Sequence, residues 1–226
     1  YLSALRQRLV SRCRRCGGRG FARGNLGRIE SCRCLLEFRL LARLHEGGVP
    51  RAYQRASLGD YLYRRQNPTS FALVLAYVAA LDQNLVDGAG LYFAGKHGVG
   101  KSLLVCAVLR EAASRGRSVV YRSLNTVLAE MADREFSGES QKTLLEVDLL
   151  AIDELDKIYR TKAGVSEVMF DRLIRHRYGA RRAVLVASNS SRAHLAGLHG
   201  SAIESLFAEM LTDVPLVGKD FRKRHL

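Results

Sequence analysis

Gly95-Lys96-His97-Gly98-Val99-Gly100-Lys101-Ser102 meets the pattern G-x-x-x-x-G-K-[ST] at every fixed position. Its three glycines permit dihedrals and close approaches that a Cβ forbids, so consecutive N–H groups can converge on phosphate oxygens. An apolar stretch, Leu91 to Ala94, precedes the loop, and an amphipathic run, Leu103 to Ala113, follows it. The loop is therefore expected between a strand and a helix whose N-terminus adds partial positive charge. Lys101 would bridge β and γ phosphates and Ser102 would ligate Mg²⁺, which makes Gly95 to Ser102 a binding set for a nucleoside triphosphate. Taken without its flanks, the same string also reads as a plain glycine-rich turn.

A second constellation lies about fifty residues on, where the apolar run Val147-Asp148-Leu149-Leu150-Ala151-Ile152 ends in Asp153-Glu154. Asp153 is expected to complete the Mg²⁺ shell and Glu154 to polarise an attacking water, both at a strand's carboxyl end, where open α/β sheets bind ligands. Adjacent acids also serve as helix caps, so the pair gains meaning from the loop. A third apolar strand, Ala183 to Ser188, ends in Asn189, whose amide could sense the γ-phosphate and position water; Asn is equally an ordinary turn residue.

Four of the five cysteines fall within 22 residues, as Cys13-Arg-Arg-Cys16 and Cys32-Arg-Cys34. Paired thiols at this spacing favour a tetrahedral Cys₄ zinc site, with an iron–sulfur cluster and a redox dithiol as alternatives. Four thiolates leave no open coordination position, so the metal's role would be structural, supplying folding energy on the order of 10 kcal/mol to a segment too short to bury a core. Gly17, Gly18 and Gly20 let the first knuckle curl so that amides face the sulfurs. Cys106, among Leu103, Leu104, Val105 and Val108, reads as a buried small hydrophobe.

Charge is distributed unevenly along the chain. Residues 1 to 65 carry 15 arginines, no lysine and four acids, a net of +11, out of +14 for all 226 residues. A basic segment of this kind suggests nucleic acid or an acidic protein surface, against a merely solvated face. The longest apolar run, Phe71 to Leu81, is too short to span a membrane, and the first residues show no apolar signal region, so a cytoplasmic location is expected. The chain opens on Tyr1 rather than Met, which leaves room for something upstream.

Helical spacing covers Leu35 to Leu44 and is stopped by Gly47-Gly48-Val49-Pro50; a second helix is expected from Asn67 to about Asn84. Strands at 91–94, 118–122, 147–152, 183–188 and 214–217 then alternate with helices at 102–114, 125–135, 165–178 and 201–211. Strands without polar alternation imply burial on both faces, hence an α/β fold with a parallel sheet flanked by helices. The boundary near residue 48 divides a basic zinc-binding module with its helix, 1–48, from a P-loop domain, 49–226.

The assembled set, with Leu149-Leu150-Ala151-Ile152-Asp153-Glu154, Val184 to Asn189 and the C-terminal Val217-Gly218-Lys219-Asp220-Phe221-Arg222, resembles AAA+ ATPases of the bacterial helicase-loader group, the DnaC/DnaI type with its IstB transposition relatives. The likeness covers about residues 50 to 226, and the cysteine module is similar to those preceding the ATPase core in many loaders. It implies an AAA+ core and an ATP/ADP switch with Mg²⁺ and Zn²⁺ that binds a replicative DNA helicase and single-stranded DNA, as a homo-oligomer or a helicase-bound ring. Gly95 to Ser102 would be Walker A, Asp153 and Glu154 Walker B, Asn189 sensor 1 and Arg222 sensor 2. Ala56 to Tyr61 would lie near adenine, and the loop Lys157 to Gly164 near DNA. One departure stands out: family members carry arginines on the helix before the last strand, and Ser201 to Met210 has neither Arg nor Lys. Hydrolysis through self-assembly is therefore expected to be weak, and an IstB-type transposition helper or a P-loop scaffold with little turnover are the alternatives.

Overall fold

The computed structural model describes residues 1–24, 27–132, 138–156, 165–194 and 201–220. Leu2–Arg6 (α1) runs through a wider π-helical turn, Gln7–Ser11, towards the first cysteine pair. Phe21–Arg23 (β1) and Ile29–Ser31 (β2) form an antiparallel hairpin, after which Cys32 caps Arg33–Glu46 (α2). This helix buries Leu35, Leu41 and Leu44 and ends at Gly47, where a Cβ would stand 2.4 Å from the Val119 carbonyl. Only glycine allows that approach, and the Gly47 carbonyl then accepts a hydrogen bond from the Tyr121 amide at 2.8 Å. The end of α2 thus covers part of a sheet edge that would otherwise expose unpaired backbone groups.

Pro68–Ala79 (α3) starts with proline at its first turn, and Leu81–Asp87 (α4) ends at Gly88 in the left-handed region. The sequence reads these as one helix, but their axes differ by 82°. No glycine or proline marks the break. Tertiary packing imposes it: the turn at Ala80 swings Leu81 and Leu85 into the core beside Val74 and Tyr77, and Asn84 Nδ2 donates to the Tyr77 carbonyl at 2.9 Å across the corner. Among the described residues no single helix is long and apolar enough to cross a membrane; α3 and α4 reach that length only together, across the bend.

From Gly90–Ala94 (β3) onward the chain alternates. Lys101–Ser114 (α5), Val119–Ser123 (β4), Leu124–Ala132 (α6), Glu139–Glu146 (α7), Leu149–Asp153 (β5), Val165–Gly179 (α8), Ala183–Ser188 (β6), Ser201–Met210 (α9) and Leu211–Pro215 (β7) follow in order. The strands pair in parallel in the order β4-β5-β6-β3-β7. Alternation within each strand feeds two cores. Leu91, Phe93, Leu149, Ala151 and Leu185 pack with α2, α3, α4 and α5, whereas Tyr92, Leu150, Ile152, Val184 and Val186 pack with α6, α7, α8 and α9. The sheet is sandwiched, as uninterrupted apolar strands require. The last strand begins three residues earlier than its expected 214–217, and α7 has no counterpart in the sequence reading, because Leu144 is its one buried residue and little apolar periodicity betrays it.

Arg177 of α8 is fully buried and donates to the carbonyls of Leu144, Leu145, Val147 and Ala183 at 2.7 to 3.2 Å. It ties α7, the start of β5 and β6 together, which fixes the strand that carries Asp153.

Candidate functional site

The loop between β3 and α5 folds as its glycines allow. Gly98 (φ 73°) and Gly100 (φ 94°) lie in the left-handed region, and a Cβ on Gly100 would press on the Tyr61 ring at 2.9 Å. Lys101, nearly buried at the head of α5, donates from Nζ to the carbonyls of Gly95 (2.6 Å) and Lys96 (2.9 Å) and to Asn189 Oδ1 (3.0 Å). Next to it, Ser102 Oγ donates to Asp153 Oδ2 at 2.7 Å. Parallel strands β3, β5 and β6 end side by side, so loop, carboxylate and amide converge although 88 residues separate Lys101 from Asn189.

A cleft of about 270 Å³ opens over this group, floored by His97 to Ser102, Asp153, Glu154 and Asn189. Gly95 and Lys96 do not line it; their carbonyls hold the lysine instead. Glu154 is exposed at the rim with φ 60°, a left-handed conformation that non-glycine residues rarely adopt, and its amide donates to Asp153 Oδ1 at 2.7 Å. The opposite wall comes from the segment before α3: Tyr53, Asp60, Tyr61, Leu62 and Tyr63. Of the stretch 56–61, expected near adenine, Asp60 and Tyr61 reach the cleft, while Ala56 is buried outside it.

Three positioning features escaped the sequence. Asp156 accepts from the Asn189 amide N–H (2.8 Å) and side-chain Nδ2 (2.7 Å), which turns Asn189 Oδ1 towards Lys101. Burial works against this carboxylate's charge, yet the bonds from Asn189 and Ser188 hold it below its usual range. Tyr121 of β4 donates its phenol to Asp153 Oδ2 at 2.5 Å; burial first, then the Asp153 charge, push this phenol far above the ordinary tyrosine value, so it stays a donor. Asn67 is buried and ties the wall to the C-terminal segment, donating to Tyr61 Oη (3.0 Å) and the Val217 carbonyl (2.8 Å) and accepting from the Val217 amide (2.7 Å). Of the three, only Asp156 carried a sequence signal, standing three residues after Asp153; Tyr121 and Asn67 are far from every motif. Arg222 and the loop 157–164 lie outside the described residues; the described chain ends at Asp220, which packs against Gly98.

The cysteines form a separate cluster. Sγ atoms of Cys13, Cys16, Cys32 and Cys34 all lie within 4.8 Å of one another, with 3.9 Å from Cys13 to Cys32 and 3.6 Å from Cys16 to Cys34. Four sulfurs at zinc-bond length on tetrahedral corners would be about 3.8 Å apart, so the donor set fits that ion. Gly20 N–H points at Cys16 Sγ at 3.2 Å, the amide-to-sulfur contact that the knuckle glycines allow. Cys34 sits in α2, and α2 is fastened to α5 by Arg43 to the Ala113 carbonyl (3.2 Å) and by Arg110 to Glu37 (3.4 Å). Cys106 is fully buried; burial, then the nearby Asp153 charge, push its thiol well up.

Comparison with known proteins agrees with this geometry. The replicative helicase loader DnaC of Escherichia coli (strain K12) is 27% identical over 165 residues, 70% of this chain and 65% of that protein. The chain thus spans just under two thirds of the length of the curated relatives it matches first. In three dimensions it is similar to the DnaC helicase loader (TM-score 0.64, 21% identity, 74% of this chain and 100% of that one) and to DnaI (0.62, 19%, 78% and 98%), likenesses that establish a P-loop NTPase fold. The family of IstB-like ATP binding proteins matches residues 52–211, well over half of the chain, and the chain belongs to that family.

Proposed function

We propose that this chain is an ATP-dependent helicase-loading factor, which binds a replicative hexameric DNA helicase and single-stranded DNA and delivers the ring onto the strand under nucleotide control. The observation that carries the reading is the meeting of Lys101, Ser102, Asp153 and Asn189 in one cleft of a chain homologous to DnaC. The amides from Gly98 to Lys101 would cradle the phosphates, and Lys101 would exchange its loop carbonyls for phosphate oxygens. Ser102 and Asp153, already in contact, would hold Mg²⁺, whose contribution when bound is to neutralise charge on the β and γ oxygens. Glu154 would orient the attacking water, and Asn189 would report whether a γ-phosphate is present. Tyr53, Tyr61 and Tyr63 offer the base an aromatic wall.

Turnover should be slow. A trans arginine typically contributes about 10³ to 10⁵ in rate, and Ser201 to Met210 carries no cation. A slow hydrolase suits a switch that waits for a partner to supply the missing charge. The cysteine cluster is proposed as a structural zinc site heading a module of residues 1–48, with 49–226 as the ATPase domain and the α2–α5 packing as their joint; a cytoplasmic location fits this role. The IstB family match favours a second reading, a transposition helper that forms filaments on DNA, while the cysteine module and the missing arginine count against it. Co-purification with the host's replicative helicase, with and without ATP, separates the two. Nucleotide-dependent capture of the helicase supports loading, and ATP-dependent filaments on duplex DNA with no helicase capture would sink it.

A further inference from the structure

We propose that the N-terminal module is a second nucleic-acid-binding surface, in which the β1–β2 hairpin stacks unpaired bases and the module's exposed arginines hold phosphates. Strand register sets the geometry. Phe21 pairs with Ser31 and Arg23 with Ile29, so side-chain alternation places Phe21, Arg23, Ile29 and Ser31 on one face. That face is open to solvent: Phe21 is 47% and Ile29 78% exposed. A ring and a branched aliphatic side chain left in water on a three-residue hairpin contribute nothing to the core, and exposed apolar groups rimmed by charge mark a docking site.

Charge identifies the partner. Arg6, Arg8, Arg12, Arg14, Arg15, Arg19, Arg23, Arg28, Arg33 and Arg39 are all exposed, and none of the ion pairs among the described residues engages any of them. The two acids in the same stretch are Glu30 and Glu37, and Glu37 is already committed to Arg55 and Arg110. Even with four thiolates and a divalent ion counted at −2, residues 1–39 keep a net charge of +6 (ten arginines less two acids less two). Every cation here is an arginine, whose planar fork suits phosphate and whose face stacks on bases, whereas an acidic protein surface would be served equally by lysine. An exposed ring that shares a face with an arginine, on a segment whose other cations are all exposed arginines, combines the stacking and phosphate contacts that bind single strands with little sequence preference. The surface lies on the cysteine module and uses none of the nucleotide-binding residues, so it stands or falls separately from the loader reading.

The test is fluorescence anisotropy of a labelled oligothymidylate with the full chain, beside Arg23→Glu/Arg28→Glu and Phe21→Ala. Zinc content, thermal midpoint and ATP affinity serve as controls for folding. The charge reversal should weaken oligonucleotide binding about tenfold or more and lower the slope of log affinity against log salt by at least about 1.4. Phe21→Ala should cost about tenfold on the oligonucleotide and leave binding to inorganic polyphosphate unchanged. Should the reversal variant lose its metal, Arg23→Gln/Arg28→Gln takes its place with the same expectation at smaller size. Unchanged oligonucleotide affinity in the folded variants overturns the proposal, as does equal affinity for polyglutamate of matched charge, which would make this an acidic-protein surface.

Discussion

Lys101, Asn189 and Asp156 form one hydrogen-bonded chain, and the last of them is where the structure adds most to the motif. An Asn amide is symmetric in shape but not in function. With Asp156 accepting from Nδ2, the oxygen must face the lysine; without it, the amide can rotate and present a donor to a donor. Asp156→Asn should therefore lower ATP turnover about tenfold while leaving ATP affinity within about twofold, because Asp156 acts through Asn189 and lies outside the phosphate cradle. Rapid-quench hydrolysis set beside calorimetric ATP binding checks this; an equal loss in both would assign Asp156 to folding rather than to positioning. At this scale the sequence was most readable where backbone geometry demands particular residues, as at Gly98 and Gly100. It was least readable for Asp156 and Tyr121, whose types are commonplace and whose partners are fixed only by sheet order.

Element by element, legibility follows burial. Strand β6 is buried at all six positions and was delimited from sequence at both ends, since a short, valine-containing apolar run without polar alternation suits a sandwiched strand. The corner between α3 and α4 and the short helix α7 were not legible, because long-range packing creates the first and a single buried leucine supports the second. The π-helical turn is pinned by buried Val10 and by Leu9, which packs against the main core, whereas the hairpin buries few side chains and lies between the two cysteine pairs. Cys13→Ser with Cys16→Ser should then release one zinc per chain and unravel the hairpin, while α2, held by Leu41 and Leu44 in the main core, stays in place and ATP binding persists. Metal analysis together with hydrogen exchange on residues 21–31 and 33–46 reads this out. A parent protein free of zinc, or loss of protection across α2 as well, would contradict it.

At the scale of the whole molecule, two helical layers on a parallel sheet bring together groups far apart in sequence, and the same burial sets the alkaline limit of the fold. Tyr61, Tyr77, Tyr92 and Tyr121 are all raised above the ordinary 10.0 chiefly by burial, Tyr61 and Tyr92 to about 12 and the other two beyond. Above that ordinary value the unfolded chain loses phenolic protons that the native state keeps, so the native state binds more protons and stability must fall as pH rises. The thermal midpoint should fall gently from about pH 9, where the Cys106 thiol ionises in the unfolded chain but not in the fold, and steeply beyond about pH 10, where the phenols add to it; a midpoint that rises beyond about pH 10 would show these phenols to be ionised in the fold. The layered architecture was legible in the sequence, as was the rim where the candidate site lies, because strand burial and loop motifs are local signals. The sequence could not supply Tyr53 and Tyr63 of the aromatic wall, or the Asn67 tie between residues 61 and 217, which depends on the two ends of the ATPase segment meeting. The claim on which the rest turns is that this rim grips ATP with magnesium. Titration calorimetry of the parent chain and of Lys101→Ala tests it most directly: saturable binding of one nucleotide per chain in the parent and none in the variant is the predicted result, and no heat of binding in the parent, or equal affinity in both, would contradict it.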